Sequence, residues 1–117
     1  MKQVITGQVP MKYRSIKAGK YDSKKEQRRA NELKMLEKAG RIAELKEQVQ
    51  FELIPAQYRL VNGRKTCIER EVRYYADFTY VENGNLIVED VKGMRTKDYI
   101  LKRKLMLSVH GIRIKEV

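Results

Sequence analysis

The sequence predicts an α/β domain with a mostly antiparallel central hairpin and a late strand. Two observations predict this fold class. A capped helical pattern precedes a series of alternating segments, and a second helix and a last strand follow them. The order is therefore helix, three or four strands, helix, strand, and helices and strands mixed in this way are typical of an α/β layer. The 117 residues suffice for one domain with a modest core.

The first predicted element is a helix over residues 24–39. Ser23 and Glu26 have the spacing of a capping box, in which each satisfies a free backbone donor at the helix N-terminus. Gly40 follows as a stop signal. The apolar positions recur at helical spacing, at Ala30, Leu33 and Leu36.

The strands begin with "EQVQFELI", residues 47–54, in which apolar and polar residues alternate until Pro55. Asn62-Gly63 is a turn signal. We expect it to join a short strand, residues 57–61, to a longer strand that runs into Tyr80.

A hairpin follows, and its turn sets the register of its strands. Asn83-Gly84 favours a type I′ turn, because that turn requires positive φ at both central residues. Glu82 then faces Asn85, and in the same register Asp77 faces Asp90, with Cβ atoms about 5 Å apart. A bulge would shift the register by one residue and separate the two acids.

The remaining elements are a helix and a strand. Gly93 breaks the strand that carries Asp90, and Thr96 is positioned to cap a helix over residues 97–109. Gly111 ends that helix. The last segment, "IRIKEV", predicts a strand over residues 112–117.

The charge predicts an acidic partner. The chain has 26 Lys and Arg against 15 Asp and Glu, a net charge of +11. Nucleic acid is the leading candidate, and an anionic membrane surface is less favoured. Residues 1–20 predict a basic N-terminal arm, which either follows a phosphate backbone or is an ordinary solvated tail.

The compartment is predicted from what the sequence lacks. The chain has no apolar run of membrane-spanning length and no signal-peptide pattern at its N-terminus. Cys67 is the only cysteine, so a disulfide framework is excluded and a reducing cytoplasm is expected.

The facing acids indicate a chemistry. Like charges placed opposite each other destabilise a hairpin, and a divalent cation such as Mg²⁺ would offset that cost. Lys92 lies two residues beyond Asp90 and therefore on the same face, whereas Glu89 lies on the opposite face, where it is expected to pair with a basic side chain. Two carboxylates and an ammonium group beside a basic surface fit metal-dependent hydrolysis of phosphodiester bonds.

These residues carry a resemblance. Asp77 together with Asp90-Val91-Lys92 resembles the signature of the PD-(D/E)XK nuclease superfamily, although Ala76 replaces the proline of that motif. Residues 20–117 resemble small phage and prophage proteins assigned to it, and TnsA-like endonucleases and Holliday junction resolvases are similar in plan. The resemblance implies a restriction-endonuclease-like αβββαβ core over residues 21–117, with a central mixed sheet flanked by helices.

The resemblance also implies roles for individual residues. Asp77, Asp90 and the Val91 carbonyl would bind Mg²⁺ or Mn²⁺, Lys92 would act on the attacking water, and Glu26 would contribute to the metal site or to water positioning. We expect a phage-encoded endonuclease that acts on branched or recombination DNA in the host cytoplasm, as a homodimer. The DNA-contacting residues expected from the basic surface are Lys24, Lys25, Arg28, Arg29, Arg95, Lys102, Arg103 and Lys104.

Alternatives remain open at this stage. Capping alone would explain Glu26. Asp77 and Asp90 would also be explained as a solvated hairpin edge, paired with Arg73 or Arg95. The chain would then be a non-catalytic nucleic-acid-binding protein, or a protein-interaction module whose charge steers an acidic partner.

Overall fold

The structure, a computed structural model, describes residues 23–117, and the predicted arm of residues 1–20 and the expected domain start at residue 21 lie outside them. The described residues form two α-helices and six strands. In chain order these are α1 (Lys24–Lys38), β1 (Ala43–Ile54), β2 (Gln57–Val61), β3 (Arg64–Glu69), β4 (Val72–Glu82), β5 (Asn85–Asp90), α2 (Lys97–Leu105) and β6 (Lys115–Glu116). None of the helices described is long and apolar enough to cross a membrane.

The strands form a mixed sheet of four and a separate sheet of two. The larger sheet has the order β1-β4-β5-β6. Its first two pairings are antiparallel, and β5 pairs with β6 in parallel. Strands β2 and β3 pair only with each other, antiparallel, within the described part of the chain. The α/β class is therefore confirmed, with a sheet of mixed direction.

Helix α1 forms where the capping signal predicted it. The Ser23 hydroxyl oxygen accepts a hydrogen bond from the Glu26 backbone N–H at 3.0 Å, which satisfies one of the free donors of the first turn. The helix ends at Lys38, one residue earlier than predicted, and Gly40 follows with φ of 79°.

The β4–β5 hairpin has the predicted turn and register. Asn83 and Gly84 have φ of 52° and 79°, as a type I′ turn requires. Pairing runs from Glu82–Asn85 to Phe78–Glu89 without a shift. The next position in the same register is Asp77 and Asp90.

Three predicted elements differ from the structure. The single strand expected between the Asn62-Gly63 turn and Tyr80 is wrong, because the chain changes sheets on the way: Glu69 pairs with Gln57 in the small sheet, and Val72 pairs with Ile54 in the large one.

The last helix and strand are shorter than predicted. Helix α2 ends at Leu105 and continues as a π-helical turn, Met106–His110, before Gly111. The last strand comprises only Lys115–Glu116. Ile112 and Ile114, which were expected within it, instead pack against the core beside α2.

The two helices cover opposite faces of the large sheet. Ala30 and Leu33 of α1 form a buried cluster with residues of the sheet and the preceding loop, Ile42, Phe78 and Tyr80. Tyr99 of α2 and Met106 form a second cluster with Leu53, Tyr74, Ala76 and Val88. Successive residues of β5 alternate between the two: Ile87 packs on the α1 side and Val88 on the α2 side. Asp90 therefore lies on the α2 side of the sheet.

Candidate active site

Asp77 and Asp90 lie together at the open end of the β4–β5 hairpin. The Asp77 carboxylate oxygen Oδ2 accepts a hydrogen bond from the Val91 backbone N–H at 2.8 Å. Asp90, the last residue of β5, is only 3% exposed. The Val91 hydrogen bond therefore holds the first acid against the segment that carries the second.

The electrostatics show that Asp77 lies close to other negative charges. Burial raises the pKa of Asp77 to about 8, and the charges of Asp90 and Glu26 add to the effect. The Val91 N–H opposes the increase, because it favours the ionised carboxylate. A cation placed among these acids would remove much of the repulsion.

Glu26 combines the two roles considered for it. Its backbone N–H takes part in the N-cap of α1, while its side chain is buried at 5% exposure. The carboxylate oxygen Oε2 accepts a hydrogen bond from the Gln48 amide at 3.4 Å. Capping alone therefore does not account for the position of the Glu26 side chain.

Gln48 is a member of the site that the sequence did not single out. Its side-chain amide donates to Glu26, as described, and to Asp77 Oδ1 at 3.2 Å. Its backbone has φ of 52°, an unfavourable value for a residue other than glycine. Strained backbone in a strand interior is found most often at functional sites, where the fold holds a side chain in place.

Lys92 contacts Asp90 directly. Its ammonium nitrogen lies 2.6 Å from Asp90 Oδ2 and 3.8 Å from the centre of the Tyr99 ring. The Lys92 side chain is 22% exposed, so the ammonium group lies at the boundary between the cluster and solvent. Its backbone carbonyl accepts a hydrogen bond from the Lys25 ammonium group at 2.9 Å, which ties this segment to α1.

Two buried oxygens lack an adequate hydrogen-bond partner within residues 23–117. They are the Tyr74 hydroxyl and Asp90 Oδ2, whose contact with Lys92 is an ion pair without hydrogen-bond geometry. Burial and the charge of Asp90 raise the pKa of the Tyr74 hydroxyl, which therefore stays protonated. An anionic oxygen left in this state at a cleft edge has unused capacity to bind a cation.

The donor set fits Mg²⁺ or Mn²⁺ as far as it extends. Carboxylates and a backbone carbonyl are the oxygen ligands these ions prefer, and Mg²⁺ sites commonly use only one or two carboxylates, with water and phosphate completing the shell. Within the described residues, no group of three or more His, Cys, Asp or Glu side chains is arranged to hold a metal ion. The acids therefore fit a partial, substrate-completed site and not a closed cage.

Glu89 lies on the opposite face, as alternation predicted, and pairs with a basic side chain. Its two carboxylate oxygens accept hydrogen bonds from Arg29 at 2.7 and 2.8 Å, and Tyr80 donates a third at 2.6 Å. Glu89 is fully buried. Arg29, expected to contact DNA, is thus engaged in a structural ion pair.

The other basic residues expected at a DNA surface fall into two groups. Lys24, Lys25, Arg28 and Lys104 are exposed, whereas the remainder have acidic partners. Lys102 lies 3.6 Å from Asp98, and Glu116 pairs with both Arg95 and Arg103, at 2.7 and 3.1 Å.

The arginines considered as structural partners of the acidic pair lie elsewhere. Arg73 contacts Glu71 and Gln50, both at 3.3 Å, and Arg95 contacts Glu116. Asp77 and Asp90 are therefore held by Gln48, Val91 and Lys92.

A cavity of about 310 Å³ lies apart from the acidic cluster. It adjoins the end of α2 and the last segment of the chain, and its lining includes Arg103, Lys104 and Arg113. Its walls contribute positive charge to this side of the molecule.

Comparison with known proteins identifies a family and no individual relative. The family described as "Protein of unknown function (DUF1064)" matches residues 10–115, a range that includes every residue of the acidic cluster. No curated protein and no solved structure matches the chain.

Proposed function

Because the chain belongs to the DUF1064 family, whose description assigns no activity, we propose a function from its own geometry: it is a metal-dependent endonuclease that hydrolyses phosphodiester bonds in DNA. The observation that carries the proposal is the convergence of Asp77, Asp90 and Lys92 at one end of a hairpin, with Asp77 fixed by the Val91 N–H.

The topology supports a restriction-endonuclease-like core. When the β2–β3 hairpin is treated as an insertion, the remaining elements follow in the order α1, β1, β4, β5, α2, β6. That is the αβββαβ order implied by the PD-(D/E)XK resemblance. The acids also lie where that resemblance puts them, on two paired strands and on the preceding helix.

The proposed metal is Mg²⁺ or Mn²⁺, held by Asp77, Asp90 and the Val91 carbonyl, with Glu26 contributing. When bound, it would supply charge neutralisation at the phosphate and a lower pKa for the attacking water. Gln48 would orient Glu26 and Asp77 through its two amide hydrogen bonds.

Lys92 is suited to the reacting phosphate. Its ammonium group is held between Asp90 and the Tyr99 ring, so its position is fixed before DNA binds. A cation held in advance stabilises the developing negative charge at little reorganisation cost. The net charge of +11 would draw the polyanion to this surface. Following the resemblance, we propose branched or recombination DNA as the substrate, a phage origin, action in the host cytoplasm, and a homodimer as the active form.

A second candidate is a nucleic-acid-binding protein without catalysis. The observation that favours it is that Lys92, Gln48 and the Val91 N–H already compensate much of the acidic charge without a metal. Under this alternative the acids serve the hairpin alone, and DNA binding is indifferent to divalent ions.

The two candidates are separated by cleavage assays on supercoiled plasmid and a synthetic four-way junction, in Mg²⁺, Mn²⁺ or EDTA. We expect metal-dependent cutting that is lost in Asp90→Asn and Lys92→Ala. Asp98→Asn is the matched control, because Asp98 is an exposed acid whose ion pair is with Lys102. Tight DNA binding with no cutting in either metal would favour the non-catalytic protein.

A further inference from the structure

The β2–β3 hairpin stands apart from the rest of the described fold. Its strands form a sheet of their own, and every residue from Gln57 to Glu69 is exposed. None of its residues belongs to either buried cluster found in residues 23–117. The molecule measures 58 × 33 × 27 Å, as expected when an arm extends from a small body.

The hairpin carries apolar side chains that its own fold does not bury. Tyr58, Leu60, Val61 and Ile68 are 51%, 77%, 45% and 44% exposed. A two-stranded hairpin is at best marginally stable alone in water, and exposed strand edges invite pairing. An arm built in this way is suited to a surface that covers it.

The charge on the hairpin selects the kind of surface. Arg59, Arg64 and Lys65 flank the turn at Asn62-Gly63, and no acidic residue occurs between Gln57 and Ile68. The register puts Lys65 on one face with Tyr58, where the ammonium group lies 4.7 Å from the ring centre, and Arg59 and Arg64 on the other. Both faces of the arm are therefore positive.

A second copy of the chain is a poor occupant. A twofold interface between two such arms would bring the same three cations on each chain together, and like charges across an interface are repulsive. A polyanion meets the opposite condition, because each cation gains a phosphate partner. The exposed Leu60 and Val61 beside the turn suit contact with sugars and base edges.

We propose that the β2–β3 hairpin is a DNA-binding arm that enters a groove of the substrate, with Arg59, Arg64 and Lys65 on the phosphates. The inference rests on the proposed nuclease function, and it adds where the duplex lies beyond the cleavage site. Its dimensions fit: a two-stranded ribbon is the β-structure that the major groove, about 12 Å wide, admits.

The first test compares two charge variants of equal size. Arg59→Gln/Arg64→Gln/Lys65→Gln removes three charges from the arm. Lys38→Gln/Arg41→Gln/Lys46→Gln removes three exposed charges from the end of α1 and the start of β1, near the opposite end of β1 from the arm. Binding of a fluorescent duplex is measured by anisotropy in EDTA over a range of KCl, with thermal unfolding as the check on folding.

The arm variant should lose about tenfold or more in affinity, and the slope of log K against log salt should fall by about 2 to 3, since each phosphate contact contributes about one. The control should lose less than about threefold. Equal losses in the two variants would overturn the proposal, because they would show that only total charge matters.

The second test uses the protein without substitution. Cys67 is the only cysteine, and it is exposed on the arm. Its reaction with a thiol reagent should slow at least about fivefold at saturating duplex, because access governs thiol reactivity. An unchanged rate at saturating duplex would overturn the proposal, and so would protection that depends on protein concentration without DNA, since that would assign the arm to a second copy.

The inference and the proposed function fail in different ways. Loss of cutting in Asp90→Asn with arm-dependent binding intact supports both. Cutting by a protein whose Cys67 stays reactive on DNA retains the nuclease and overturns the arm. Arm-dependent binding without cutting in any metal supports the arm and overturns the nuclease. A wild-type protein that does not bind duplex overturns the arm.

Discussion

Asp77 makes the folded state sensitive to pH. Its pKa is raised to about 8 by burial and by Asp90 and Glu26, whereas an unfolded aspartate titrates near pH 4. The folded state therefore holds a proton that the unfolded state releases between these values. The stability due to this group is fully present below about pH 4 and is lost as pH rises to about 8.

We therefore predict that, in EDTA, the free energy of unfolding falls from pH 4.5 to pH 8.5 in the wild type, and falls less in Asp77→Asn, which has no proton to lose. Urea unfolding across that pH range checks this. Glu116 does not interfere, because its pKa is lowered to about 2 by Arg95 and its contribution changes below the window. Parallel pH curves for the two proteins would contradict the prediction.

At the scale of single residues, sequence reasoning reached the side chains whose positions follow from local rules. The Asn83-Gly84 turn set the register that brings Asp77 towards Asp90, and alternation put Lys92 on the same face and Glu89 on the other. Gln48 was missed because its position depends on how β1 aligns with β4, where its neighbours pair in constant register. Nothing in the local sequence encodes that alignment or a φ of 52°.

At the scale of elements, the Arg29–Glu89 pair fastens α1 to β5. Glu89 is fully buried, and it accepts three hydrogen bonds. Glu89→Gln would leave a largely buried guanidinium without its counter-charge, so we predict a loss of about 2 to 4 kcal/mol of unfolding free energy. Chemical denaturation measures it.

Glu32→Gln is the matched control for this pair. Glu32 also contacts Arg29, at 3.1 Å, but its side chain is 63% exposed. Its loss should cost less than about 0.5 kcal/mol, as is usual for solvent-exposed ion pairs. Similar costs for the two variants would mean that burial does not set the strength of the Arg29 contact.

The β4–β5 turn gives a second prediction at this scale. Gly84 has φ of 79° with open space around it, so Gly84→Ala is opposed by backbone conformation and not by a clash. We predict a loss of about 1 to 2 kcal/mol. Gly93→Ala is the control, since Gly93 has neither a positive φ nor a neighbour within 4 Å, and thermal unfolding should show it near the wild type. A larger effect at Gly93 would refute this account of the turn.

Elements were predictable where their ends have local signals. The Ser23 and Thr96 caps fixed the starts of both helices. The break between β3 and β4 was not predictable, because it arises where the chain leaves one sheet for another, between Glu69 and Val72. The π-helical end of α2 likewise follows from packing, since Met106 is fully buried against the sheet.

At the scale of the whole molecule, the topology separates a body that folds from an arm that projects. Ile54 and Val72 are paired neighbours in the large sheet, and all of β2–β3 lies between them in the chain. Replacing residues 55–71 by Asn-Gly would close β1 and β4 with a two-residue turn. Because the arm contributes to neither cluster within the described residues, we predict cooperative unfolding within about 1 kcal/mol of the wild type, the shorter loop offsetting small losses.

Val88→Ala calibrates that measurement. Val88 is 1% exposed in the cluster beneath α2, so its truncation should cost about 1 to 3 kcal/mol and show that the assay detects a loss of core packing. If the arm replacement costs as much as Val88→Ala or more, the hairpin is part of the folding unit. If it costs little, the body that holds Asp77, Asp90 and Lys92 folds without the hairpin, and cleavage can then be measured with and without the arm on the same site.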